Sequence, residues 1–512
     1  MSRRAVSEAD LSHLKVDRDR AIPIYLQIAR QISEAISSGS LPAGTRLPPE
    51  RQLARALGVN RSTVLSAYRN LKESGLLEAI VGRGTSVLRP PAAPPDLGGR
   101  QPFWEQLFRQ ETGRAVDAVV RDLLALSERR DVIPMAIGLP SPDHLPLELY
   151  RDLLRELTAE IGPPLLLHCP TEGITPLRER LSQYMEKRGI GCVPSEVLVL
   201  AGSQQGLDLI GRTLLEPGDT VIVEEPTYIG ALETFRAAGC RMIGVPCDDE
   251  GLCTDMLEPI LERHRPKLIY TLPTFQNPSG AVMTLERRRH LVDLAARHRI
   301  PIVEDDPYSE LRYDGRALPS LKALDRAGLV LYLSTFSKLL FPGLRLGWMA
   351  APAPVIHRLA LVKQTVDLHS STPAQWLLER FIRDGHLEKH VARMRGVYAE
   401  KRDRMHHALT RCAPDGFTWR RPDGGFYLWC RLPERVDRSR LLARAAEAGV
   451  SFLPGWFCFH QDPGASHLRL NFSNPSPEQI ESGIPRLIDA VRAGMTRPPT
   501  VDRETIGTPP IV

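Results

Sequence analysis

The sequence predicts two folded parts, a small winged helix-turn-helix followed by a larger α/β body with a mostly parallel sheet. The first part is indicated by three short amphipathic helical segments and a hairpin before residue 90. The second part is indicated by an alternation of apolar strand runs with helices, as in residues 196–201 before a helix from Gln204. A chain of 512 residues is long enough for two or three domains.

The elements of the front part are predicted from hydrophobic spacing and from helix-end signals. A helix over residues 22–39 is indicated by isoleucines at every fourth position, Ile24, Ile28, Ile32 and Ile36. A short second helix runs from Glu50 to Gly58. Asn60 caps a third helix over residues 61–74, whose inner face would be Val64, Tyr68 and Leu71. The hairpin over residues 76–87, with a Gly-Arg-Gly tip, would form the wing.

Polar side chains of this part are placed to contact DNA. The first residues of a recognition helix meet base edges, and here they are Arg61, Ser62, Thr63 and Ser66. Phosphate contacts are expected from Arg46, Arg51 and Arg83. Residues 1–90 hold 14 Lys and Arg against 8 Asp and Glu, which indicates either a polyanion partner for this part alone or a solvated charged face. A three-helix module that binds another kind of partner is the alternative interpretation.

The composition also predicts the segments between and after the folded parts. Residues 90–100 are rich in Pro, Ala and Gly, so residues 90–130 are predicted as a linker with helical structure over residues 103–128. The domains are then residues 20–89 and 131–492. Residues 495–512, dense in Pro and Thr, are predicted to be a disordered tail.

Cysteine usage and the absence of targeting signals predict the environment of the chain. All eight cysteines follow residue 160, and they show neither a Cys-x-x-Cys pair nor metal-ligand spacing. The first twenty residues contain no apolar segment of the kind found in signal peptides, and no stretch is long and apolar enough to span a membrane. We therefore expect a soluble, cytoplasmic protein without a metal site.

One stretch of the body carries the clearest chemical signal. Residues 329–348 run from a buried strand into small hydroxyl residues, then reach Lys338 and, seven residues later, Arg345. A lysine at a strand end, beside hydroxyls and a guanidinium, suits a Schiff base with an aldehyde that also carries a phosphate. Lys338 is therefore the candidate attachment residue for pyridoxal 5'-phosphate (PLP). Thr335, Ser337 and Arg345 would bind its phosphate.

Residues upstream of Lys338 support this cofactor. The buried strand over residues 302–305 ends in Asp305, and Tyr308 follows three residues later. PLP needs a carboxylate near its pyridinium nitrogen, because a protonated ring is the better electron sink. Asp305 fits that role, and Tyr308 would donate to the phenolate oxygen of the ring. Parallel strands present such residues at the same edge of a sheet, where ligands bind.

Further candidates complete the predicted site. Ser203 and Gln204 open a helix directly after a strand, so free N–H groups there would bind the phosphate, although an ordinary strand-to-helix turn has the same pattern. Tyr228 would stack on the ring or pack on the surface as a turn residue. Asn277 would donate to the phenolate oxygen or form an ordinary Asn-Pro turn. Arg469, on a late strand, would bind a substrate or effector carboxylate.

The front part resembles the winged helix of GntR-type transcription regulators over residues 20–88. The segments that carry the resemblance are Pro23–Gln27, Gly39–Leu47, Pro49–Ala54, Val59–Val64 and Gly75–Leu77. The resemblance implies that this part binds double-stranded operator DNA. Some members read DNA with a second arginine one turn into the recognition helix, where this chain has Leu65, so the resemblance does not supply the operator sequence.

Residues 131 to about 492 resemble the class I/II aminotransferases, which are fold type I PLP enzymes. The matching segments are Gly138–Pro140, Glu172–Gly173, Gly202–Gln205, Gln276–Gly280, Asp305–Tyr308, Ser337–Lys338, Arg345 and Arg469. The resemblance implies the roles given above for the attachment lysine, the ring-nitrogen carboxylate, the two phenolate partners and the stacking tyrosine. One position departs from the family. Many relatives place a tyrosine that reaches the partner subunit's phosphate where this chain has His168.

One chain that carries a GntR-type winged helix, a linker and an aminotransferase-like body has the architecture of MocR-type (GabR-like) regulators. Residues 335–343 resemble the sequence of those regulators around the attachment lysine. This resemblance implies a homodimer, because fold type I sites are built at a subunit interface. Relatives regulate genes of vitamin B6, GABA, taurine or related amine metabolism. They sense PLP itself or an amino compound through PLP.

The sequence therefore predicts a PLP-dependent transcription regulator in which PLP or an amino compound shifts the body and repositions the DNA-binding parts. The alternative is a working aminotransferase with an attached DNA-binding head, since Asn277 and Arg469 are both present. Lys338 would then move a proton between the α carbon of the amino acid and the cofactor. A body that only dimerises is a third possibility, against which Lys338 and Asp305 argue.

Overall fold

The computed structural model describes residues 11, 14–17, 23–37, 40–80, 84–88, 129, 131–434, 436–461 and 466–495. The chain divides into two compact units, Met1–Leu107 and Phe108–Val512. Arg83, the segment over residues 103–128 and the tail after residue 495 lie outside the described residues. The predictions made for them therefore stay predictions.

The first unit contains the predicted helix-turn-helix and wing. Its elements are α1 (Ile24–Ser37), α2 (Glu50–Leu57), α3 (Arg61–Glu73) and the antiparallel hairpin of β1 (Leu77–Ile80) and β2 (Gly84–Val87). Gly58 ends α2 in the left-handed region at φ +62°, and the Asn60 side chain caps α3 by accepting from the Ser62 amide. The inner face of α3 is buried as predicted, at Val64, Tyr68 and Leu71.

The second unit is built on a large, mostly parallel sheet. After the short β3 (Ile133–Pro134), its strands are β4 (Val197–Leu200), β5 (Thr220–Glu225), β6 (Arg241–Asp248), β7 (Gly251–Leu252), β8 (Leu268–Thr271), β9 (Ile302–Asp305), β10 (Val330–Thr335) and β11 (Gly347–Ala350). Their order is β4-β11-β10-β9-β8-β5-β6-β7. Strands β10, β9, β8, β5 and β6 pair in parallel, while β11 is antiparallel to both its neighbours. This confirms the predicted sheet.

Two smaller sheets complete the unit. An antiparallel sheet has the order β12-β13-β16-β15, formed by β12 (Thr418–Trp419), β13 (Tyr427–Arg431), β15 (Leu453–Pro454) and β16 (His467–Asn471). β3 pairs in parallel with β14 (Val450–Ser451). β16 carries Arg469 toward the larger sheet, so this second layer supplies part of the site.

Helices cover the large sheet and form the rest of the second unit. They are α4 (Leu147–Ile161), α5 (Thr175–Glu186), α6 (Ser203–Leu214), α7 (Ile229–Ala237), α8 (Leu257–His264), α9 (Leu285–His298), α10 (Leu321–Leu324), α11 (Ala353–Asp367), α12 (Thr372–Arg383), α13 (His386–Cys412), α14 (Arg438–Glu447) and α15 (Pro477–Gly494). Thr284 caps α9 by accepting from the Arg287 amide.

The strand pairing decides where functional side chains meet. Leu333 in β10 lies opposite Asp305 in β9, in parallel, so both strands end at one edge of the sheet. The strands themselves are fully buried on both faces, as parallel strands between helices are. Among the described residues, no helix combines the length and apolarity that crossing a membrane requires.

Candidate functional site

A cavity of about 300 Å³ lies at the carboxyl edge of the large sheet. It is lined by eight of the residues predicted from the sequence, namely Ser203, Tyr228, Asn277, Asp305, Tyr308, Thr335, Lys338 and Arg469. These residues come from both sheets and from the loops after several strands. The fold therefore brings most of the predicted site into one place.

Asp305 lies at the end of β9 and is buried. The Tyr270 hydroxyl donates to Asp305 Oδ2 at 2.8 Å, whereas Oδ1 is buried without a hydrogen-bond partner in the described part of the chain. An unpaired buried acceptor costs about 1–3 kcal/mol unless a ligand satisfies it. Oδ1 therefore fits the protonated nitrogen of a pyridine ring.

Burial raises the pKa of Asp305 to about 7, although the Tyr270 hydroxyl opposes that shift. In the folded, cofactor-free protein the carboxyl thus holds a proton that the unfolded chain releases from near pH 4. The contribution of the Asp305 carboxyl to the free energy of unfolding must therefore fall as the pH rises from near 4 to about 7. A pyridinium ion against Oδ1 would lower the pKa of Asp305 again, because the positive charge favours the ionised carboxylate.

The first prediction follows from this titration. Between pH 5 and pH 8, the cofactor-free protein should lose more stability than its Asp305→Asn variant, by a few kcal/mol as an order of magnitude. Urea unfolding at a series of pH values measures the difference, with the exposed Asp489→Asn variant as control. Parallel profiles for all three proteins would contradict the pKa shift and its cause.

Lys338 follows β10 and projects into the cavity. Its Nζ donates to the Gly138 carbonyl at 2.7 Å. Desolvation lowers the pKa of Lys338, and the nearby positive charges of Arg469 and Arg345 lower it further. A lysine with a depressed pKa is more often neutral, which is the form that attacks an aldehyde.

Arg469 and Asn277 are brought together from β16 and from the loop after β8. Arg469 Nη1 donates to Asn277 Oδ1 and Nη2 donates to the Ala136 carbonyl, both at 2.7 Å. Nε is buried without a partner among the described residues. This strand arginine is thus buried rather than solvent-facing. It keeps donor capacity for an anionic group inside the cavity.

A second cluster of donors surrounds the start of α6. Arg345 Nη2 donates to the Ala201 carbonyl at 3.2 Å, and Nη1 donates to Ser337 Oγ at 3.3 Å. Thr335 Oγ1 lies 3.0 Å from Ser337 Oγ. Gly202 has φ +99°, and a Cβ there would stand 2.7 Å from Arg345 Nη2, so only glycine lets the guanidinium approach this closely. The hydroxyls, the guanidinium and the N-terminus of α6 suit a phosphate.

Tyr228 lines the cavity, and Gln204, which is not among the lining residues, holds the Tyr228 hydroxyl. The Tyr228 hydroxyl donates to Gln204 Oε1 at 3.1 Å, and Gln204 Nε2 donates to the Gly230 carbonyl at 3.0 Å and to Thr234 Oγ1 at 2.9 Å. The Gln204 side chain is therefore turned toward α7 and holds the Tyr228 ring. Only the Gln204 backbone remains available to a phosphate.

Tyr427 is a cavity residue that the sequence analysis missed. The Tyr308 hydroxyl donates to the Tyr427 hydroxyl at 3.0 Å, and the Arg469 guanidinium lies 3.9 Å above the Tyr427 ring. A Cβ on Gly138 would overlap the Tyr427 hydroxyl, so this glycine makes room for the phenol. The glycine pair Gly424 and Gly425 before β13 was no signal for this contact, because a Cβ on either glycine would meet Phe275, which is not among the lining residues.

His168 is not among the residues that line the cavity. It is exposed, and its Nδ1 lies 2.8 Å from His369 Nε2. Exposed leucines flank this histidine pair, at Leu166, Leu167 and Leu368. Its predicted contact with a partner subunit's phosphate stays a prediction.

The residues predicted to contact DNA are displayed on the first unit. Arg46, Arg51, Arg61, Ser62 and Ser66 are exposed, and Thr63 is half-buried at the start of α3. Within the described residues, none of these three arginines forms an ion pair, whereas Arg30 on α1 pairs with Glu34 at 3.0 Å. Unpaired arginines on one surface are available for phosphates and bases.

Both units of the chain match known protein families. The sequence matches the family "Aminotransferase class I and II" over residues 130–487 and "Bacterial regulatory proteins, gntR family" over residues 24–87. It is 39% identical to aromatic-amino-acid aminotransferase 1 of Thermococcus litoralis over 77% of this chain and 96% of that protein. It is 32% identical to the probable rhizopine catabolism regulatory protein MocR of Rhizobium meliloti over 94% of this chain and 96% of that protein.

The fold of the body is also similar to that of an aminotransferase of known structure. Kynurenine aminotransferase of Pyrococcus horikoshii, in complex with PMP, has a TM-score of 0.74 and 39% identity, covering 77% of this chain and 99% of that one. The fold and the site define a PLP-dependent aminotransferase-like body joined to a DNA-binding winged helix. With relatives of matching architecture over nearly its whole length, the chain belongs to the MocR-type regulators of the GntR family, and its cofactor is pyridoxal 5'-phosphate.

Proposed function

We propose that this chain is a dimeric, ligand-responsive regulator in which the aminotransferase-like body binds PLP, or an amino compound through PLP, and thereby changes how the winged helices bind an operator. The observation that carries the proposal is the complete cavity, with Lys338, Asp305 and Arg469 together, in a chain that also has a winged helix. DNA binding is assigned to residues 20–89 and ligand binding to residues 131–492, joined by the linker over residues 90–130. The family matches over residues 24–87 and 130–487 support this division.

The roles proposed for the cavity residues follow from their contacts. Lys338 would hold the cofactor covalently and Asp305 its ring nitrogen, while Tyr228 would stack on the ring. Asn277 and Tyr308 would donate to the phenolate oxygen of the cofactor. The cofactor's phosphate would be bound at the N-terminus of α6 by Ser203, Gln204, Thr335, Ser337 and Arg345. When bound, PLP supplies an aldehyde that captures amines and a ring that withdraws electrons. Arg469 would bind the carboxylate of an amino ligand.

A footprint on the DNA upstream of the chain's own gene tests the regulatory proposal. The purified full-length protein is footprinted alone, with PLP, and with PLP plus a panel of amino compounds. Protection of two spaced half-sites that changes with one compound is the expected result. No protection at low salt, where phosphate contacts are strongest, would contradict it.

Arg61 is proposed to contact a base edge or phosphate from the first turn of α3. The Arg61→Ala variant should bind operator DNA about 5- to 100-fold more weakly, because one such contact contributes about 1–3 kcal/mol. Fluorescence anisotropy across a salt series measures the loss. The Arg30→Ala variant removes an exposed, ion-paired arginine of the same unit and should bind as the wild type does. Equal losses in both variants would contradict a specific role for Arg61.

The homodimer is supported by exposed apolar side chains on two segments of the second unit, Leu166 and Leu167 on one and Leu361, Val366 and Leu368 on the other. The Thr372 hydroxyl donates to the Leu167 carbonyl at 2.9 Å, so the two segments that carry these residues are adjacent. A monomer rarely leaves so many large apolar side chains together in water. A second copy of the chain would cover them and bring the His168–His369 pair to the interface.

Charge introduced into this surface should separate the subunits. Replacing both Leu166, which is 78% exposed, and Leu167 with aspartate should raise the dimer dissociation constant at least about 100-fold, because each leucine contributes about 1.5–3 kcal/mol when buried. Sedimentation velocity measures the change. The Met256→Asp variant provides an exposed apolar control away from this surface. A double variant that stays dimeric would place the interface elsewhere.

A working aminotransferase is the second candidate function. It is favoured by the aminotransferase relatives and by the intact pairing of Asn277 with Arg469. In this case Lys338 would also move a proton at the α carbon of a bound amino acid. Formation of a 2-oxo acid from an amino acid, without any effect of ligands on DNA binding, would favour this candidate over the regulator.

A further inference from the structure

We infer that the amino ligand of the cavity is an α-amino acid with an uncharged, apolar side chain. The inference rests on the proposed function, because it names the chemical class of compound that the same cavity binds. It is carried by the residues that line the cavity away from the groups assigned to the cofactor. Those residues fall into a polar end and an apolar wall.

The polar end is the Arg469 guanidinium. Two of its nitrogens are held by Asn277 and by the Ala136 carbonyl, while buried Nε has no partner among the described residues. A buried cation with donor capacity to spare is a site for a carboxylate.

The polar groups at this end of the cavity are arranged around Tyr427. Arg469 lies against the ring of Tyr427, and the Tyr427 hydroxyl lies against Gly138, whose carbonyl accepts from Lys338. Lys338 and Arg469 thus flank one tyrosine, and the positive charge of Arg469 is close enough to lower the pKa of Lys338. An amino acid therefore has a partner in this cavity for its amine, through the cofactor on Lys338, and for its carboxylate, at Arg469.

The wall is a set of aliphatic side chains drawn from three parts of the second unit, Ile137, Leu139, Ile229 and Leu453. Ile137, Ile229 and Leu453 also belong to an apolar cluster that contains Trp456, Phe457 and Cys458. An apolar ligand side chain gains free energy by leaving water against such a wall. Among the described lining residues, Lys338 and Arg469 are the cations and Asp305 the carboxylate, so a charged ligand side chain would lose its hydration without a partner.

Titration of the cofactor-loaded full-length protein tests the inference. Leucine, methionine and phenylalanine are compared with glutamate, lysine and 4-aminobutyrate, by visible absorption and by calorimetry. The apolar amino acids should bind at least about tenfold more tightly than the other three, which corresponds to about 1.4 kcal/mol. Glutamate, lysine or 4-aminobutyrate binding as tightly as leucine would overturn the inference and leave the proposed function standing. No binding of any amino compound would overturn both the inference and the amino-compound branch of the proposed function.

A variant pair tests whether the wall sets the preference. Leu139 lies at the cavity mouth and is 39% exposed, so Leu139→Arg adds a cation without burying it. Glutamate should then bind at least about tenfold more tightly than to the wild type, and leucine more weakly, because the new cation pairs with the second carboxylate. Met256→Arg changes a residue that is 45% exposed and absent from the lining, and it should leave both affinities unchanged. Equal effects of the two variants, or none from Leu139→Arg, would overturn the assignment of the wall.

Discussion

Replacement of Lys338 with alanine is expected to abolish the yellow colour of the PLP-loaded protein and its retention of cofactor on gel filtration. The reason is that the covalent link needs an amine, and the cavity residues contain no second lysine. The fold should survive. Loss of the Nζ bond leaves the Gly138 carbonyl without that donor, at a cost of about 1–3 kcal/mol, which is small against the core of this unit.

Absorption spectra and gel filtration of the reconstituted protein make the measurement, and urea unfolding checks the fold. The Lys187→Ala variant removes an exposed lysine with a weak, solvent-accessible ion pair and should keep both colour and cofactor. An unchanged spectrum in Lys338→Ala would refute the assignment of the attachment residue. The same variant should also lose any effect of amino compounds on DNA binding, because such compounds act through the cofactor in the proposed function.

Replacement of Arg469 with alanine should weaken the binding of an amino acid roughly 100-fold, since a charge-assisted pairing contributes about 3 kcal/mol. The sharpest measurement compares leucine with 3-methylbutylamine, which lacks only the carboxylate. The wild type should strongly prefer leucine. Arg469→Ala should bind the two compounds with similar affinity, and Arg469→Lys should restore part of the preference, because lysine is a single point charge without the two-pronged geometry.

The control for this experiment is Arg431→Ala, an exposed arginine on the adjacent β13. It should retain the full preference for leucine over the amine. Retention of that preference in Arg469→Ala would show that another group binds the carboxylate. The Asn277 amide would then be the first residue to test, because Arg469 holds it in place.

Much of the fold was predictable because its signals are local. The helix α3 begins where Asn60 provides a side-chain cap and buries the residues that helical spacing selected. The strand β10 begins with a continuous apolar run and β9 begins with Ile302 and Val303, which identified both as buried strands. Since parallel strands end at one edge, the positions of Asp305 and Lys338 followed from the strands without any knowledge of contacts.

The parts of the site that were missed depend on contacts between distant segments. Tyr427 meets Tyr308 and Arg469 only because β13 and β16 pair beside the large sheet. The direction of the Gln204 side chain depends on its partners Gly230 and Thr234 in the next helix. The spacing of residues within a single segment does not predict contacts between segments that are far apart in the chain.

The two-part architecture, the PLP-type set of residues and the strand ends at which these residues lie could therefore be predicted from the sequence, because periodicity, caps and motif residues are properties of short segments. The tertiary structure alone decided that Arg469 is buried and paired with Asn277, that Tyr427 joins them, and that separate aliphatic residues form one wall. These features arise from side chains far apart in the chain, whose meeting is fixed by how the two sheets pack together.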